Sequence, residues 1–509
     1  MPFAETKRFK LRRRRHDLLV RESKMSKKFS HFLKEGNLVG GQWIKADSGG
    51  TLDVTNPATG KILGTVPKSG AAETRRAIEA AQGAFDSWRK RTASDRSKLL
   101  RRLHDNMMDN LDGLAELLTL EQGKSLAEAK GELTSGAGYV LWFAEECRRI
   151  YGDIVPSPWA DRRILVTKEP IGVIAAITPW NFPSSMLARK LGPALAAGCT
   201  AVVKPASQTP YSALAWGVLA EEAGIPAGVI NIVTGSATEI GGEITRHPLV
   251  KKITFTGSTE VGKILIRQAA GTVKKVSMEL GGNAPFIVFD DADMERVIAG
   301  ALLSKFRNSG QTCVCTNRFY VQSKIYNKFV EKFTDATKAL KIGSGLEAGV
   351  QQGPMIDMNA VEKVESLIAD AVKKGGRITT GGKRHALGGT FFEPTVIADA
   401  KARMRMTKEE IFGPVSPVYR FKSEEEVIEI ANNTEFGLAA YVYTSDLGRS
   451  FRMMEALKYG MIGINEGLIT TPEAPFGGLK ESGLGKEGGY QGIEDYLDTK
   501  YVCLGGLGI

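Results

Sequence analysis

Between residues 72 and 150 the apolar positions advance by threes and fours. Ala77, Ile78, Ala81, Ala84 and Phe85 form one such stripe, and Leu114, Leu117 and Leu118 another, the spacing of helices that bury one face. At Ile171 the rhythm changes. Short apolar runs at 172–177, 201–204, 229–233, 252–255 and 275–279 read as strands, with amphipathic stretches such as 210–223 and 260–269 between them. Strands alternating with helices predict a parallel sheet with crossover helices, the plan of a dinucleotide-binding domain. A second α/β rhythm follows Ala284: strand 286–289, helix 294–306, strand 319–321. Beyond Lys324 a helix places Ile325, Phe329, Phe333 and Leu340 near one face. Segments 163–168 and 499–504 read as extended.

A chain of 509 residues is too long for one small core, so at least two domains are expected. Hydrophobic residues make up 42% and charged residues 25%, an ordinary globular balance. The longest apolar run, near 171–178, falls far short of the roughly 18–20 residues that span a bilayer, so no membrane partner is expected. The five cysteines (147, 199, 313, 315, 503) form no disulfide framework, which points to a reduced compartment. The five histidines show no ligand spacing with one another or with cysteine, so no metal is expected.

The formal charge is +11, yet residues 1–24 alone hold nine Lys/Arg against three Asp/Glu. This basic tail, with Arg12 to Arg15 in a row, reads as a disordered, solvated segment rather than a nucleic-acid surface, because no readout element accompanies it. Its arginines also suit mitochondrial targeting, although Asp17 and Glu22 count against that. Met25 offers a second start of translation. Without a targeting role the location expected is cytoplasmic.

The chemistry concentrates at Cys313, in Phe306-Arg-Asn-Ser-Gly-Gln-Thr-Cys-Val-Cys-Thr-Asn-Arg318. An aldehyde must become tetrahedral before it can lose hydride. A thiolate achieves this by forming a thiohemiacetal, and loss of hydride then leaves a thioester. Gly310 gives the backbone freedom just before the thiol. Glu279, in Ser277-Met-Glu-Leu-Gly-Gly282, is a candidate general base. Phe255-Thr-Gly-Ser-Thr-Glu-Val-Gly262 joins a strand to a helix, the geometry that presents a helix N-terminus to a diphosphate, although no Gly-X-Gly-X-X-Gly fingerprint is present. Arg189 and Arg307 lie near these motifs. Two guanidiniums converging on one pocket would select an aldehyde whose far end is a carboxylate.

These strings, with Pro179-Trp-Asn-Phe-Pro183, resemble the aldehyde dehydrogenase superfamily from about residue 38 to 506. The resemblance implies that family's α/β fold: a Rossmann-like cofactor domain (25–150 and 170–281), a catalytic domain (282–485), and small β segments (151–169 and 486–509) for oligomerisation into a homodimer or homotetramer. It implies Cys313 as nucleophile, Glu279 as base and Asn181 as oxyanion donor beside the backbone N–H of Cys313. A glutamate at 279 distinguishes hydrolytic members, which release an acid, from those that pass the acyl group to coenzyme A. Cofactor contacts carry over to Trp180, Lys204, Ser207, Gly257, Ser258, Gly262, Glu410 and Phe412. NAD-selective relatives often carry glutamate at position 207. With Ser207 there instead, Lys204 is free to meet a 2′-phosphate, so NADP is the expected cofactor, with NAD tolerated.

Arg189-Lys-Leu-Gly-Pro-Ala-Leu-Ala-Ala-Gly-Cys-Thr200, Phe306-Arg-Asn and Gly492-Ile-Glu-Asp-Tyr-Leu497 are similar to the succinate-semialdehyde dehydrogenases within that superfamily. There Arg189, Arg307 and a hydroxyl at position 470, here Thr470, would bind the substrate carboxylate. Glutarate semialdehyde is the nearest competitor, since one methylene is worth only about 1–3 kcal/mol in a pocket. Some members carry a second cysteine like Cys315, and a reversible bond to Cys313 would switch activity off. Extended residues two apart reach about 6–7 Å between Cα atoms, near the limit for a disulfide, so the loop would have to bend.

Overall fold

The computed structural model describes residues 29–506, so the tail 1–24 and its role lie outside the described residues. The helical stretch resolves into four helices, Ala71–Arg89, Ala93–Asp109, Leu111–Gln122 and α1 (Leu126–Glu146). Residues 173–279 then build an alternating α/β layer. Its strands Lys275–Glu279, Val250–Thr256, Val173–Ile177, Thr200–Lys204 and Ile230–Ile232 lie side by side in that order and run parallel. The central strand shows why. Val173 and Ala175 pack on one face with Ala77, Ile78 and Ile253, whereas Ile174 and Ala176 pack on the other with Leu187, Leu191 and Val203. A strand buried on both faces reads as a continuous apolar run and needs helices above and below it.

The helices that matter to the site are α2 (Ser185–Ala197) and α3 (Thr259–Ala269), which follow two of these strands. Short antiparallel strands extend both edges, with Asn37–Val39 and Gln42–Ile44 on one side and Gly483–Leu484 on the other. None of the three stood out in the sequence, because two or three residues carry no period.

The second sheet orders Arg377–Thr380, Thr395–Ala398, Val415–Phe421, Thr316–Gln322, Ala284–Val288, Ala439–Tyr443 and Met461–Ile464. Only its first strand is antiparallel. Helix α4 (Met294–Phe306) leads to the Cys313 loop, and α5 (Met358–Lys373) packs further along the same unit. A third sheet pairs Arg163–Pro170 antiparallel with Leu497–Leu504 and Asp153–Val155, so both extended segments are strands of one sheet. Among the described residues no helix is long and apolar enough to cross a membrane.

One connection sets the site. Glu279 ends a strand of the first sheet and Ala284 begins a strand of the second, so residues 280–283 alone span the change of sheet. The C-terminal ends of the first sheet's strands, where Ile177 pairs with Lys204 and Thr256 with Glu279, therefore face the start of the second sheet, where Ala284 pairs with Thr316. Open parallel sheets bind ligands beyond such C-terminal ends.

Arg318 secures this junction from below. It is fully buried and donates to the carbonyls of Asn283, Ile430 and Ala431 and to the hydroxyl of Tyr459. Arg318→Met should therefore lower stability by about 2–4 kcal/mol, since each buried carbonyl left without a donor costs about 1 kcal/mol or more. Equilibrium urea unfolding checks this; an unchanged midpoint would show that those carbonyls find other donors.

Candidate active site

Two cavities meet at Cys313. The larger, about 370 Å³, is lined by Trp180, Asn181, Gly257, Ser258, Glu410 and Phe412 among others. The smaller, about 250 Å³, is lined by Phe182, Arg189, Arg307, Thr470 and Phe476 among others. Cys313 and Met186 border both. Molecules bound in the two spaces can thus both reach the thiol.

The loop that presents the thiol is conformationally strained. Asn308, Ser309 and Gly310 take φ values of 52°, 56° and 73° in succession, and only Gly310 lacks a Cβ to pay for it. At Gly310 a Cβ would fall 2.3 Å from the carbonyl oxygen of Gly413. The strain is held by hydrogen bonds. Asn308 N–H donates to Glu128 Oε1 at 2.7 Å, Ser309 Oγ to Gly353 O at 2.9 Å, and Ile356 N–H to Gln311 Oε1 at 2.9 Å.

Asn181, buried at the turn after strand Val173–Ile177, donates from Nδ2 to Gln311 O at 3.0 Å. Asn308 Nδ2 in turn donates to Asn181 O at 2.9 Å. The amide is held next to the nucleophile loop, with its second N–H unassigned to any protein acceptor.

Burial pushes the Cys313 thiol up to about 12, against the pull of the Arg189 guanidinium. Burial, and then the neighbouring Glu487 carboxylate, hold Glu279 well above the usual carboxylate range. The Glu279 carboxyl lines neither cavity. Its Oε1 lies against Gly477, where a Cβ would come within 2.9 Å, and its Oε2 has no hydrogen-bond partner. Beneath it, Lys190 Nζ donates to Thr256 Oγ1 and to Glu487 Oε1.

The larger cavity fits a dinucleotide. Thr256-Gly257-Ser258 turns from strand into α3 with Ser258 as the N-cap, its Oγ accepting from Val261 N–H, so the helix start faces the cavity. At Gly257 a Cβ would fall 2.3 Å from the Phe255 ring, and at Gly262 one would fall 2.5 Å from Leu280. Both positions need glycine for close packing. Trp180 and Phe412 meet edge to face with centroids 5.5 Å apart. Glu410 accepts from Gly282 N–H at 3.0 Å, and burial lifts its carboxyl to about 7. Lys204 ends its strand with Nζ on Pro205 O at 2.8 Å, its amine lowered by burial to about 8. Ser207 is exposed beyond it. Lys204, Ser207 and Gly262 line neither cavity.

In the smaller cavity Arg189 is buried between Phe476 and Tyr139, 4.2 Å and 4.9 Å from the ring centroids. Its Nε and Nη1 have no hydrogen-bond partner, and Glu487 stands 3.9 Å from Nη1. Arg307 lies 5.5 Å over the Phe182 ring. Thr470 completes the wall. Cys313 and Cys315 are both free thiols; Cys315 is buried, donates to Lys305 O at 3.3 Å and lines neither cavity.

Several residues here were not picked out in the sequence. Asp357, Asn359 and Lys363 at the start of α5 line the larger cavity, and no motif in the sequence marks them. Glu128, Glu132, Phe182 and Phe476 line the smaller one. Phe182 lies within the Pro179–Pro183 string, which was the one available signal; Phe476 and the glutamates are marked out only by tertiary contact.

Fold and site together are those of an oxidoreductase with a cysteine thiol where its two cavities meet. The aldehyde dehydrogenase family model matches residues 43–502, and the chain belongs to that family. It is 61% identical over 475 residues to 3-sulfolactaldehyde dehydrogenase of Pseudomonas putida, covering 93% of this chain and 98% of that protein. It is 60% identical to glutarate-semialdehyde dehydrogenase of Pseudomonas aeruginosa, covering 95% and 100%. It is 58% identical to succinate-semialdehyde dehydrogenase [NADP(+)] of Escherichia coli, covering 94% and 99%.

A thiol this far above neutral reacts in proportion to its thiolate fraction. Inactivation of the cofactor-free protein by iodoacetamide should therefore accelerate about tenfold per pH unit from pH 7 to 9 without levelling. A plateau reached below pH 8 would show that the resting thiol is already ionised.

Proposed function

We propose that this aldehyde dehydrogenase oxidises succinate semialdehyde to succinate with NADP as preferred cofactor and NAD tolerated. The observation that carries the substrate is Arg189. A guanidinium buried among aromatic rings, with Nε and Nη1 making no hydrogen bond and Glu487 no nearer than 3.9 Å, keeps donors available for a substrate carboxylate. Arg307 and the Thr470 hydroxyl stand on the same cavity and supply further donors to a carboxylate. The named substrates of the three relatives each carry an anionic group at the end away from the aldehyde, which agrees with such a clamp.

In this reading the arginines hold the far carboxylate and bring the carbonyl carbon to Cys313 Sγ. Cys313 gives its thiol proton to solvent as it attacks, forming a thiohemiacetal whose oxyanion takes the free N–H of Asn181 and the backbone N–H of Cys313. The nicotinamide cofactor, held by the α3 start, Glu410 and the rings of Trp180 and Phe412, supplies the hydride acceptor when bound. Glu279, once its own proton has passed to solvent, swings from Gly477 toward the resulting thioester and takes a proton from the water that hydrolyses it, and the Cys313 thiolate leaves as the acid forms. Ser207 carries no charge to oppose a 2′-phosphate, and Lys204 beside it offers an amine, which supports NADP.

The homodimer or homotetramer belongs to the same proposal. Tyr151, Ile154 and Tyr501 on the third sheet and its approach are 70%, 77% and 60% exposed, an apolar surface suited to a second copy. A cytoplasmic location is the companion reading, in keeping with five free thiols. Glutarate semialdehyde is the second reading, because Thr470 changes the shape of the cavity wall by one methyl group.

Steady-state kinetics with succinate semialdehyde, glutarate semialdehyde and butanal, each with NADP and NAD, test the assignment. The semialdehydes should exceed butanal in kcat/KM by about 10²-fold or more, as expected when a charged partner is lost, and NADP should exceed NAD. Arg189→Met should remove most of that preference while butanal turnover changes little. Equal use of butanal by the unsubstituted enzyme would refute the clamp and leave the dehydrogenase chemistry standing.

A further inference from the structure

A charge pair beneath the site is unused by the reaction as described. Lys124 and Glu132 have side chains with no solvent exposure and form an ion pair at 2.6 Å. Such a pair is a poor source of stability, because desolvating two ions offsets most of their attraction. Its partners are the informative feature. Lys124 Nζ also donates to Asn181 O at 2.7 Å and sits 3.8 Å over the Phe182 ring. Glu132 Oε1 accepts from the backbone N–H groups of Ser184 and Ser185, at 2.9 Å and 3.2 Å.

These contacts reach two parts of the site, the Asn181 turn and the start of α2. Ser184 is the N-cap of α2 but makes no side-chain cap bond of its own; its hydroxyl accepts from Trp216 instead. Glu132, reaching over from α1, therefore caps the helix that carries Arg189, with the sign that a helix N-terminus favours. Lys124 meanwhile pins the carbonyl of the residue whose side chain faces the oxyanion. Glu132 borders the smaller cavity, yet both of its oxygens are taken up by protein donors, so it offers nothing to substrate directly.

We infer that the Lys124–Glu132 pair is a positioning device for the reaction, locking the oxyanion donor Asn181 to the helix that bears the carboxylate clamp. Lys124 also neutralises Glu132, which would otherwise set a bare negative charge beside an anionic substrate. The inference rests on the roles proposed above for Asn181 and Arg189. It goes beyond them in assigning a function to two residues that touch neither substrate nor cofactor.

The test is a mutant cycle read as the rate constant of the first-turnover burst of reduced cofactor, with whichever aldehyde the unsubstituted enzyme oxidises. Failure of the substrate reading thus shows separately, in the choice of aldehyde. Lys124→Met/Glu132→Leu removes both charges and leaves neither ion unpaired. It should slow the burst about 10²-fold when Asn181 is present, the usual effect of a misplaced catalytic group. In an Asn181→Ala background it should slow the burst by less than about threefold, because the group it positions is already gone. Lys124→Gln, which keeps an N–H for the Asn181 carbonyl, should recover most of the rate lost in Lys124→Met, and this comparison decides the matter if the double variant does not fold. Equal losses in both Asn181 backgrounds, or no recovery with glutamine, would make the pair a purely structural element and overturn the inference.

Discussion

The site depends on a reciprocal pair of hydrogen bonds that crosses the cleft between the two α/β units. Asn181, on the turn after the central strand of the first sheet, donates to Gln311 O. Asn308, on the nucleophile loop before a strand of the second, donates to Asn181 O. Each unit thus supplies one amide side chain and one carbonyl. The distance between oxyanion donor and thiol is set by the joint rather than by either unit alone. Three left-handed residues in succession would relax if that joint opened, so the strain and the catalytic geometry are maintained together.

Around this joint the protein buries charge in an ordered way. Arg318 has donors enough for the carbonyls around it and acts as a structural pin. Lys124 and Glu132 satisfy one another and two segments of backbone. Arg189 alone among these cations keeps unpartnered nitrogens. Donors left without a hydrogen bond in a low-dielectric interior suit an anionic ligand, as the proposed clamp requires. The same burial raises the Cys313 thiol and the Glu279 carboxyl above their usual ranges.

Much of this was legible from residue order. Strand–helix alternation from residue 171 and again from 284 follows from apolar period, and every strand read there lies in one of the two large sheets. Cys313, Asn181, Arg189, Arg307 and Thr470 were recognisable because they sit in local strings with chemical meaning, and the structure gathers them on the two cavities. Two-residue and three-residue edge strands were not legible, since pairing rather than period creates them. Lys363, Glu128, Glu132 and Lys124 were equally silent. A charged residue in an amphipathic helix looks solvated until the fold shows that it is not.

What the sequence determined by itself is the list of reactive groups and the elements that carry them, because helix and strand periods and short motifs are local properties. Tertiary structure alone decided which of those groups face one another. Glu279 and Cys313 are 34 positions apart by their numbers, and Asn181 and Gln311 are separated by 130. They come together because four residues carry the chain from the end of one sheet to the start of the next. That step turns two sets of strand ends toward a single cleft, and no local pattern encodes it.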